Sequence, residues 1–344
     1  MSEHVSETEV QAAGEKLKVF QAELNGVLFG QEKLIANVIV GLLARGHILL
    51  EGVPGLAKTL MINSLAETMS LDFTRVQFTP DLMPTDITGT EVIQENKASG
   101  AREFKFLPGP IFANVILADE INRTPPKTQS ALLEAMQERQ VTLHGKTYAL
   151  DPPFFMVATQ NPIEMEGTYP LPEAQLDRFL FKLELQLPGH SDLTTILSAT
   201  TTSSTAAAPP SFTREEWLRL QALVREVAAP SSVVEAVASI ILATHPDHDS
   251  APEAIRSHVR YGSSLRGGQA ILLAAKARAM LDSRFNVSFE DIRRELLPSL
   301  RHRILLNFEA QAEGLDTDHV LLEVLEKLPE KASDDAPVRA AIAK

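Results

Sequence analysis

From Phe20 to Leu187, short apolar runs alternate with stretches whose apolar residues return every three or four positions. Ile35, Val38, Ile39 and Leu42 form one stripe along Gln31–Arg45, the pattern of an amphipathic helix. Apolar runs at Gly46–Glu51, Phe73–Phe78, Val115–Ala118, Phe154–Ala158 and Phe179–Leu187 predict strands, with helices near Thr59–Met69 and Lys127–Arg139. Near-continuous apolar strands separated by helices predict a parallel sheet covered on both faces. Two segments break this rhythm. Gly89–Phe106 reads as a hairpin turning at Lys97–Ala101, and Val141–Leu150 as another turning at Gly145. A parallel sheet requires neither, so both are predicted as surface insertions.

Beyond Leu187 the pattern is almost wholly helical, as in Val233–Ala243 and Gln269–Leu281. Residues 198–211, rich in Ser, Thr, Ala and Pro, read as a linker or long loop. The expected organisation is an N-terminal segment 1–19, an α/β domain 20–187, an all-α domain 188–329 and a tail 330–344. No repeat of solenoid period is visible.

Composition narrows the function classes. The 344 residues carry 32 Lys and Arg against 45 Asp and Glu, a formal net charge of −13, which disfavours indiscriminate nucleic-acid binding. The chain has no Cys, so disulfides, thiol catalysis and thiolate metal sites are excluded. No apolar run approaches the roughly 20 residues of a membrane span, and the polar, acidic start does not read as a signal peptide. A cytoplasmic location is the expectation.

Candidate chemistry sits where strands end. Gly52-Val53-Pro54-Gly55-Leu56-Ala57-Lys58-Thr59 follows one predicted strand and opens a helix. This is a phosphate-binding loop, with Ala57 in place of its second Gly. Its N–H groups and the helix N-terminus suit phosphate, with Lys58 for the β- and γ-phosphates and the Thr59 hydroxyl for Mg²⁺. Val115-Ile-Leu-Ala-Asp119-Glu120 ends a second strand in two carboxylates. Asp119 suits Mg²⁺ held through water, and Glu120 suits polarising the attacking water. Asn161, at the end of Phe155–Gln160, can position that water beside the γ-phosphate. Arg178, in Leu176-Asp177-Arg178-Phe179, is the candidate guanidinium for the transferring phosphoryl group, supplied from a neighbouring subunit. Arg266, in Gly262-Ser-Ser-Leu-Arg-Gly, is placed just before a helix and is a candidate phosphate sensor from the second domain. His245-Pro-Asp-His248 lacks helical spacing and a third ligand, so it is not assigned to a metal.

Taken in order, Phe29-Gly30-Gln31, GVPGLAKT (52–59), LADEINRTPPKTQSALLEAMQE (117–138), ATQNP (158–162), GTYPLPEAQLDRF (167–179) and GSSLRG (262–267) resemble the MoxR-type AAA+ ATPases. The resemblance spans Gly26 to Pro329. It implies an AAA+ P-loop core with a parallel sheet, a helix-2 insert at Gly89–Phe106 and a pre-sensor-1 hairpin at Val141–Leu150, followed by an all-α lid. It places Phe29, Gly30 and Gln31 against adenine, and the loop from Gly52 to Leu60 around the phosphates. Asn161 matches sensor 1, Arg178 the arginine finger and Arg266 the sensor 2 arginine. Leu265 stands where many relatives have Pro.

The function implied is Mg²⁺-dependent ATP hydrolysis by a hexameric ring that remodels or matures protein clients, often beside a partner with a von Willebrand factor A domain. A nucleic-acid motor and a chelatase-type ATPase subunit are the alternatives from the same clade. The first is disfavoured by net charge and by hairpins with few fixed cations, the second by the lack of a carboxylate- or His-rich tract. Glu120 and Arg178 disfavour a nucleotide-gated scaffold that does not hydrolyse.

Overall fold

The computed structural model describes residues 6–27, 30–52, 58–95, 102–143, 145–162, 167–185, 189–200 and 212–326. Helix α1 (Glu7–Val27) opens the chain. Val10, Leu17, Phe20 and Leu24 recur at helical spacing and are at most 1% exposed, because this stripe lies against the rest of the molecule. The expected boundary between residues 19 and 20 falls in the middle of this helix. Phe20 meets Phe212 and Trp217 edge-on, each at 5.3 Å.

Five parallel strands form the central sheet: β1 (Ile48–Glu51), β2 (Phe73–Gln77), β5 (Val115–Asp119), β8 (Phe155–Gln160) and β9 (Phe181–Glu184), in spatial order β2-β5-β8-β1-β9. Apart from the strand ends, β1, β5 and β8 are buried on both faces, as their unbroken apolar runs require. Helix α2 (Glu32–Leu43) precedes β1, and α3 (Lys58–Thr68), α4 (Pro84–Thr88), α5 (Pro126–Glu138) and α6 (Glu173–Leu176) lie between the strands in sequence.

Both hairpins form. Strands β3 (Gly89–Glu95) and β4 (Arg102–Pro108) pair antiparallel, as do β6 (Gln140–Leu143) and β7 (Lys146–Ala149). The predicted turn at Lys97–Ala101 lies outside the described residues. Gly145 takes φ +79°, a left-handed conformation that suits glycine. The hairpins touch: Phe106 stacks on Tyr148 at 4.2 Å, and Lys146 approaches Glu91 at 3.8 Å.

The rest is helical: α7 (His190–Thr200), α8 (Arg214–Glu226), α9 (Ser231–Ala243), α10 (Glu253–His258), α11 (Leu265–Leu281), α12 (Phe289–Leu300), α13 (Phe308–Glu313) and α14 (Thr317–Glu326). A short antiparallel pair, β10 (Val259–Tyr261) and β11 (Leu305–Leu306), lies among them. Most of the 198–211 stretch and the whole tail lie outside the described residues. His245 and His248 bond within this lid, to the Ser263 carbonyl and the Ser250 hydroxyl.

Helix α11 begins four residues earlier than its predicted start, so Arg266 lies in the first turn rather than before it. Gly267 and Gly268, which resemble a loop in sequence, are helical, and glycine stands there because packing leaves no room for a side chain at 267 and little at 268. A Cβ on Gly267 would lie 2.0 Å from Ser263 Oγ, and one on Gly268 3.2 Å from Ile241.

Polar joints tie the lid to the sheet domain. Buried Arg278 bonds Glu295 at 2.6 Å and Asn37 of α2 at 2.6 Å. Arg303 directs its guanidinium to the Asp177 carboxylate at 2.9 Å and to the Phe179 carbonyl at 2.6 Å. Around these joints one apolar cluster runs from α1 and the sheet into α11 and α12.

Candidate functional site

Because β1, β5 and β8 are parallel and in register, their C-terminal ends finish side by side. Glu51 lies opposite Gln160, and Ala118 opposite Ala158. Gly52 continues from β1, its N–H donating to the Gln160 carbonyl at 3.2 Å. A Cβ there would come within 2.6 Å of Leu185, so the chain passes the end of β9 too closely for another residue. Residues 53–57 (Val53, Pro54, Gly55, Leu56, Ala57) lie outside the described residues. The chain re-emerges as α3 at Lys58, giving the predicted strand–loop–helix order. The side chains of Lys58, Thr59 and Leu60 lie outside the described residues, as does Phe29.

Asp119 and Glu120 emerge at the same edge of the sheet as the end of β1. The Thr159 hydroxyl donates to Asp119 Oδ1 at 2.6 Å and accepts the Glu120 N–H at 2.8 Å, so one buried residue of β8 positions both. Arg75 of β2 binds Asp119 Oδ2 at 2.6 Å. Glu120 takes φ 57° and ψ 49°, a left-handed conformation rare for a residue with a side chain. The turn brings its carboxylate to Gln77 Nε2 at 2.8 Å and Arg123 at 3.2 Å. Asn161 follows β8 directly and is 7% exposed, at the same edge.

A cavity of about 710 Å³ opens between the sheet domain and the lid. Its lining includes Gly30 and Gln31, Leu183 of β9 and Leu185 just after it, and Leu297 and Pro298 of α12. Leu185 also touches the position of Gly52, so the cavity adjoins the start of the phosphate loop. Leu183, Leu185, Leu297 and Pro298 offer apolar surface for a planar base, among charged and polar groups that include Lys33, Asn37, Arg294 and Asp318.

Among the described residues, no group of three or more His, Asp or Glu could enclose a metal ion. Mg²⁺ bound beside a nucleotide needs only one or two carboxylates, the remaining ligands being phosphate and water oxygens. Asp119 fits that donor set. Its two oxygens already carry Thr159 and Arg75, which favours contact through water over direct ligation.

The two arginines lie elsewhere. Arg178 precedes β9, whose Phe181 pairs with Ile48 at the start of β1, whereas the phosphate loop follows the end of β1. The four-residue strands alone separate these edges by roughly 10 Å. Arg178 donates to the Leu133 carbonyl at 2.9 Å, and its buried Nε has no partner among the described residues. Arg178 does not pair with Asp177. Arg266 does, at 3.5 Å, with Ser264 and Arg303 on the same carboxylate. Both candidates therefore line one cavity at the N-terminal end of the sheet, and neither faces the phosphate loop of its own chain.

Burial sets the titration at this end. His47, 5% exposed, accepts the Met156 N–H at Nδ1 and faces the Met136 carbonyl with Nε2. Burial, with a smaller contribution from Arg139, lowers its pKa to about 4. His302 is likewise held well below the usual histidine range, by burial first and then by Arg303.

Sequence reasoning missed Thr159, Arg75 and Gln77 as the residues holding the two carboxylates. Their neighbourhood depends on strand order, which no local pattern reveals.

The model for the ATPase family associated with various cellular activities matches residues 47–181, and the AAA lid domain model matches residues 253–324. The chain is 43% identical to the Bacillus subtilis protein YeaC over 303 residues, covering 88% of this chain and 91% of that protein. It is 40% identical to the chaperone MoxR1 of Mycobacterium tuberculosis, covering 88% and 79%. It is 30% identical to the protein MoxR of Paracoccus denitrificans, covering 86% and 91%. A crystal structure of a candidate ATPase from Cytophaga hutchinsonii superposes with a TM-score of 0.86 at 41% identity, covering 93% of this chain and 96% of that one.

Proposed function

As the chain belongs to the MoxR family of AAA+ ATPases and hydrolyses ATP, we propose that it works as a head-to-tail ring in which each nucleotide is held by one subunit and completed by the next. Adenine sits in the cavity beside Gly30 and Gln31, and the phosphates on the loop from Gly52 to Leu60, with Lys58 on the β- and γ-phosphates. Asp119 and Thr59 hold Mg²⁺, which when bound neutralises charge on the phosphate oxygens. Glu120 orients and polarises the attacking water, and Asn161 fixes it against the γ-phosphate. Arg178 and Arg266 of the neighbouring subunit stabilise the charge that develops as the bond to the γ-phosphoryl group breaks.

The observation that carries this reading is the position of Arg178, at the opposite end of the sheet from its own phosphate loop. A side chain placed there serves a nucleotide only across a subunit boundary. A repeated contact of this kind, different on its two sides, closes into a ring. A hexamer is the proposed closure.

The ring acts on protein clients in the cytoplasm, in the manner of the chaperone-named relative, with a von Willebrand factor A domain protein as partner. Support for protein rather than nucleic acid comes from the first hairpin. Ile93 and Phe104 are cross-strand partners and are 62% and 72% exposed. An apolar pair held open to solvent suits a protein surface better than a phosphate backbone.

The test mixes two inactive chains. Lys58→Ala lacks a working phosphate loop but keeps its arginines, and Arg178→Ala has the reverse defect. Mixed under conditions of subunit exchange, they regain part of the ATPase activity. Absence of rescue in demonstrably mixed oligomers rejects the shared site.

A further inference from the structure

The cavity at the N-terminal end of the sheet, about 450 Å³, holds more positive charge than Arg178 and Arg266 supply. Arg45 from the turn before β1, Arg139 from the end of α5 and Arg225 from the end of α8 line the same walls. The carboxylate lining it is Asp177, already engaged by Arg303 and Arg266. Among the described residues, Arg45, Arg139 and Arg225 have no carboxylate within ion-pair distance. The chain as a whole carries a net charge of −13, so this concentration of cations runs against its composition.

Arg303 provides a useful contrast. It lines the cavity too, yet its donors go to Asp177, Phe179, Leu180 and Ser299, which makes it a structural joint. The other arginines keep most of their donors. Arg139 spends one on the Arg45 carbonyl at 3.2 Å, and Arg178 one on Leu133. Burial lowers the Arg139 pKa first, and repulsion from Arg45 and Arg225 adds to it, which places the three charges within reach of one another. Arg45 and Arg139 also take left-handed backbone conformations, φ 57° and 52°. Like charges crowded on strained turns cost stability in the empty subunit and are compensated by a ligand with several anionic oxygens.

We propose that this cavity is a polyphosphate-binding site in which Arg45, Arg139 and Arg225 join Arg178 and Arg266 on one anion. The shared chemistry is a chain of phosphoryl groups. Its source is the nucleotide on a second copy of this chain, in which case the inference rests on the shared-site reading above, or free polyphosphate.

The experiment uses the full chain carrying Lys58→Ala, which silences its own phosphate loop, titrated with inorganic tripolyphosphate by calorimetry. Binding is expected and weakens with salt. Adding Arg139→Gln or Arg225→Gln weakens it at least tenfold, whereas Arg139→Lys, which keeps the charge, retains most of it. Without the anion, Arg139→Gln melts no lower than its parent, because a crowded like charge has been removed; a purely structural arginine would melt lower. Failure of the Lys58→Ala chain to bind tripolyphosphate, or equal affinity in the Gln variants, overturns the proposal.

Turnover of chains with an intact Lys58 identifies the source. Loss of turnover alongside loss of anion binding, rescued by mixing with Lys58→Ala, assigns the anion to the second copy. Loss of anion binding with turnover retained assigns it to free polyphosphate. The two readings fail separately. If Arg178→Ala is rescued by mixing while the Gln variants bind and turn over normally, only this inference falls. If mixing never rescues Arg178→Ala while the Gln variants lose the anion, only the shared site falls.

Discussion

At the end of the sheet where β1, β5 and β8 finish, the polar side chains are mainly carboxylates and amides: Asp119, Glu120, Gln77 and the buried Asn161. At the end where β1 and β9 begin they are guanidiniums, with Arg178 and Arg266 among them. Both ends are built on the same strands and held by the same apolar core. In the proposed reading the first end activates water beside a phosphate, yet Arg75 and Arg123 there are already paired with Asp119 and Glu120. The second has the cations and nothing to cleave. Each end supplies what the other lacks, yet a rigid sheet prevents one chain from bringing its own two ends together. The difference is the physical argument for assembly, and it comes from strand direction rather than from an observed interface.

The largest effect is expected at the arginine end. Arg178→Ala should lower turnover about 10³-fold or more, while nucleotide affinity, measured by equilibrium binding, stays near normal. Wild-type activity per subunit should also rise with protein concentration. Flat specific activity down to a demonstrated monomer would remove the reason for the second end to exist.

At the carboxylate end, Glu120→Gln should lower turnover about 10²- to 10⁴-fold, the usual contribution of a positioned base. The backbone turn and the Gln77 contact can survive this change, so ATP remains bound and the chain becomes a trap for clients. Hydrolysis at the wild-type rate would show that the left-handed turn at Glu120 serves some other purpose.

The comparison also requires the lid and the sheet domain to move as one body, since Arg266 comes from the lid and Arg178 from the sheet domain. Arg278→Ala tests that rigidity. It leaves Glu295 buried without its cation, an error costing about 3–5 kcal/mol. Urea unfolding should show that loss, together with a fall in turnover at temperatures well below the wild-type melting point. Turnover unchanged despite the loss of stability would mean that the Arg278 contact with Asn37 does not hold the two domains together.

Much of the carboxylate end was legible in the sequence, because each part is a local pattern: an apolar strand followed by Gly52-Val-Pro-Gly, by Asp-Glu, or by Asn-Pro. The strands and both hairpins follow from the same periodicity, with ends displaced by at most three residues. The arginine end was legible only at Arg178 and Arg266. Residues 45, 139 and 225 are far apart in the chain, and the fold alone makes them neighbours. Helix α1 was obscured differently. Its buried residues Val10, Leu17, Phe20 and Leu24 recur at helical spacing, but four Glu, two Gln and an Asn are scattered between and around them. The start of α11 was obscured by Gly267 and Gly268, which signal a loop unless the neighbours that forbid a side chain are known.

The smallest predicted effect separates the two ends by pH. His47 stands at the arginine end, with its pKa lowered to about 4 by burial and, less strongly, by Arg139. An unfolded histidine titrates near 6.5. Between about pH 6.5 and 4 the unfolded chain therefore binds a proton that the folded chain refuses, and stability falls as pH falls. Above about 6.5 both states are neutral and the full stability is present. The window corresponds to at most roughly 3 kcal/mol from His47, of which about 2 is lost by pH 5. His302 shifts in the same direction and deepens the loss. The imidazole must be neutral because Nδ1 accepts the Met156 N–H; a proton there would break that bond beside a crowd of guanidiniums. Urea midpoints measured from pH 7.5 to 5 should fall steadily, and His47→Gln should be less stable at pH 7.5 but flatter across the range. Tripolyphosphate should lessen the acid loss in the wild-type chain by screening the arginines around His47. An acid slope identical in His47→Gln would place the titration elsewhere and leave the arginine end without its own pH dependence.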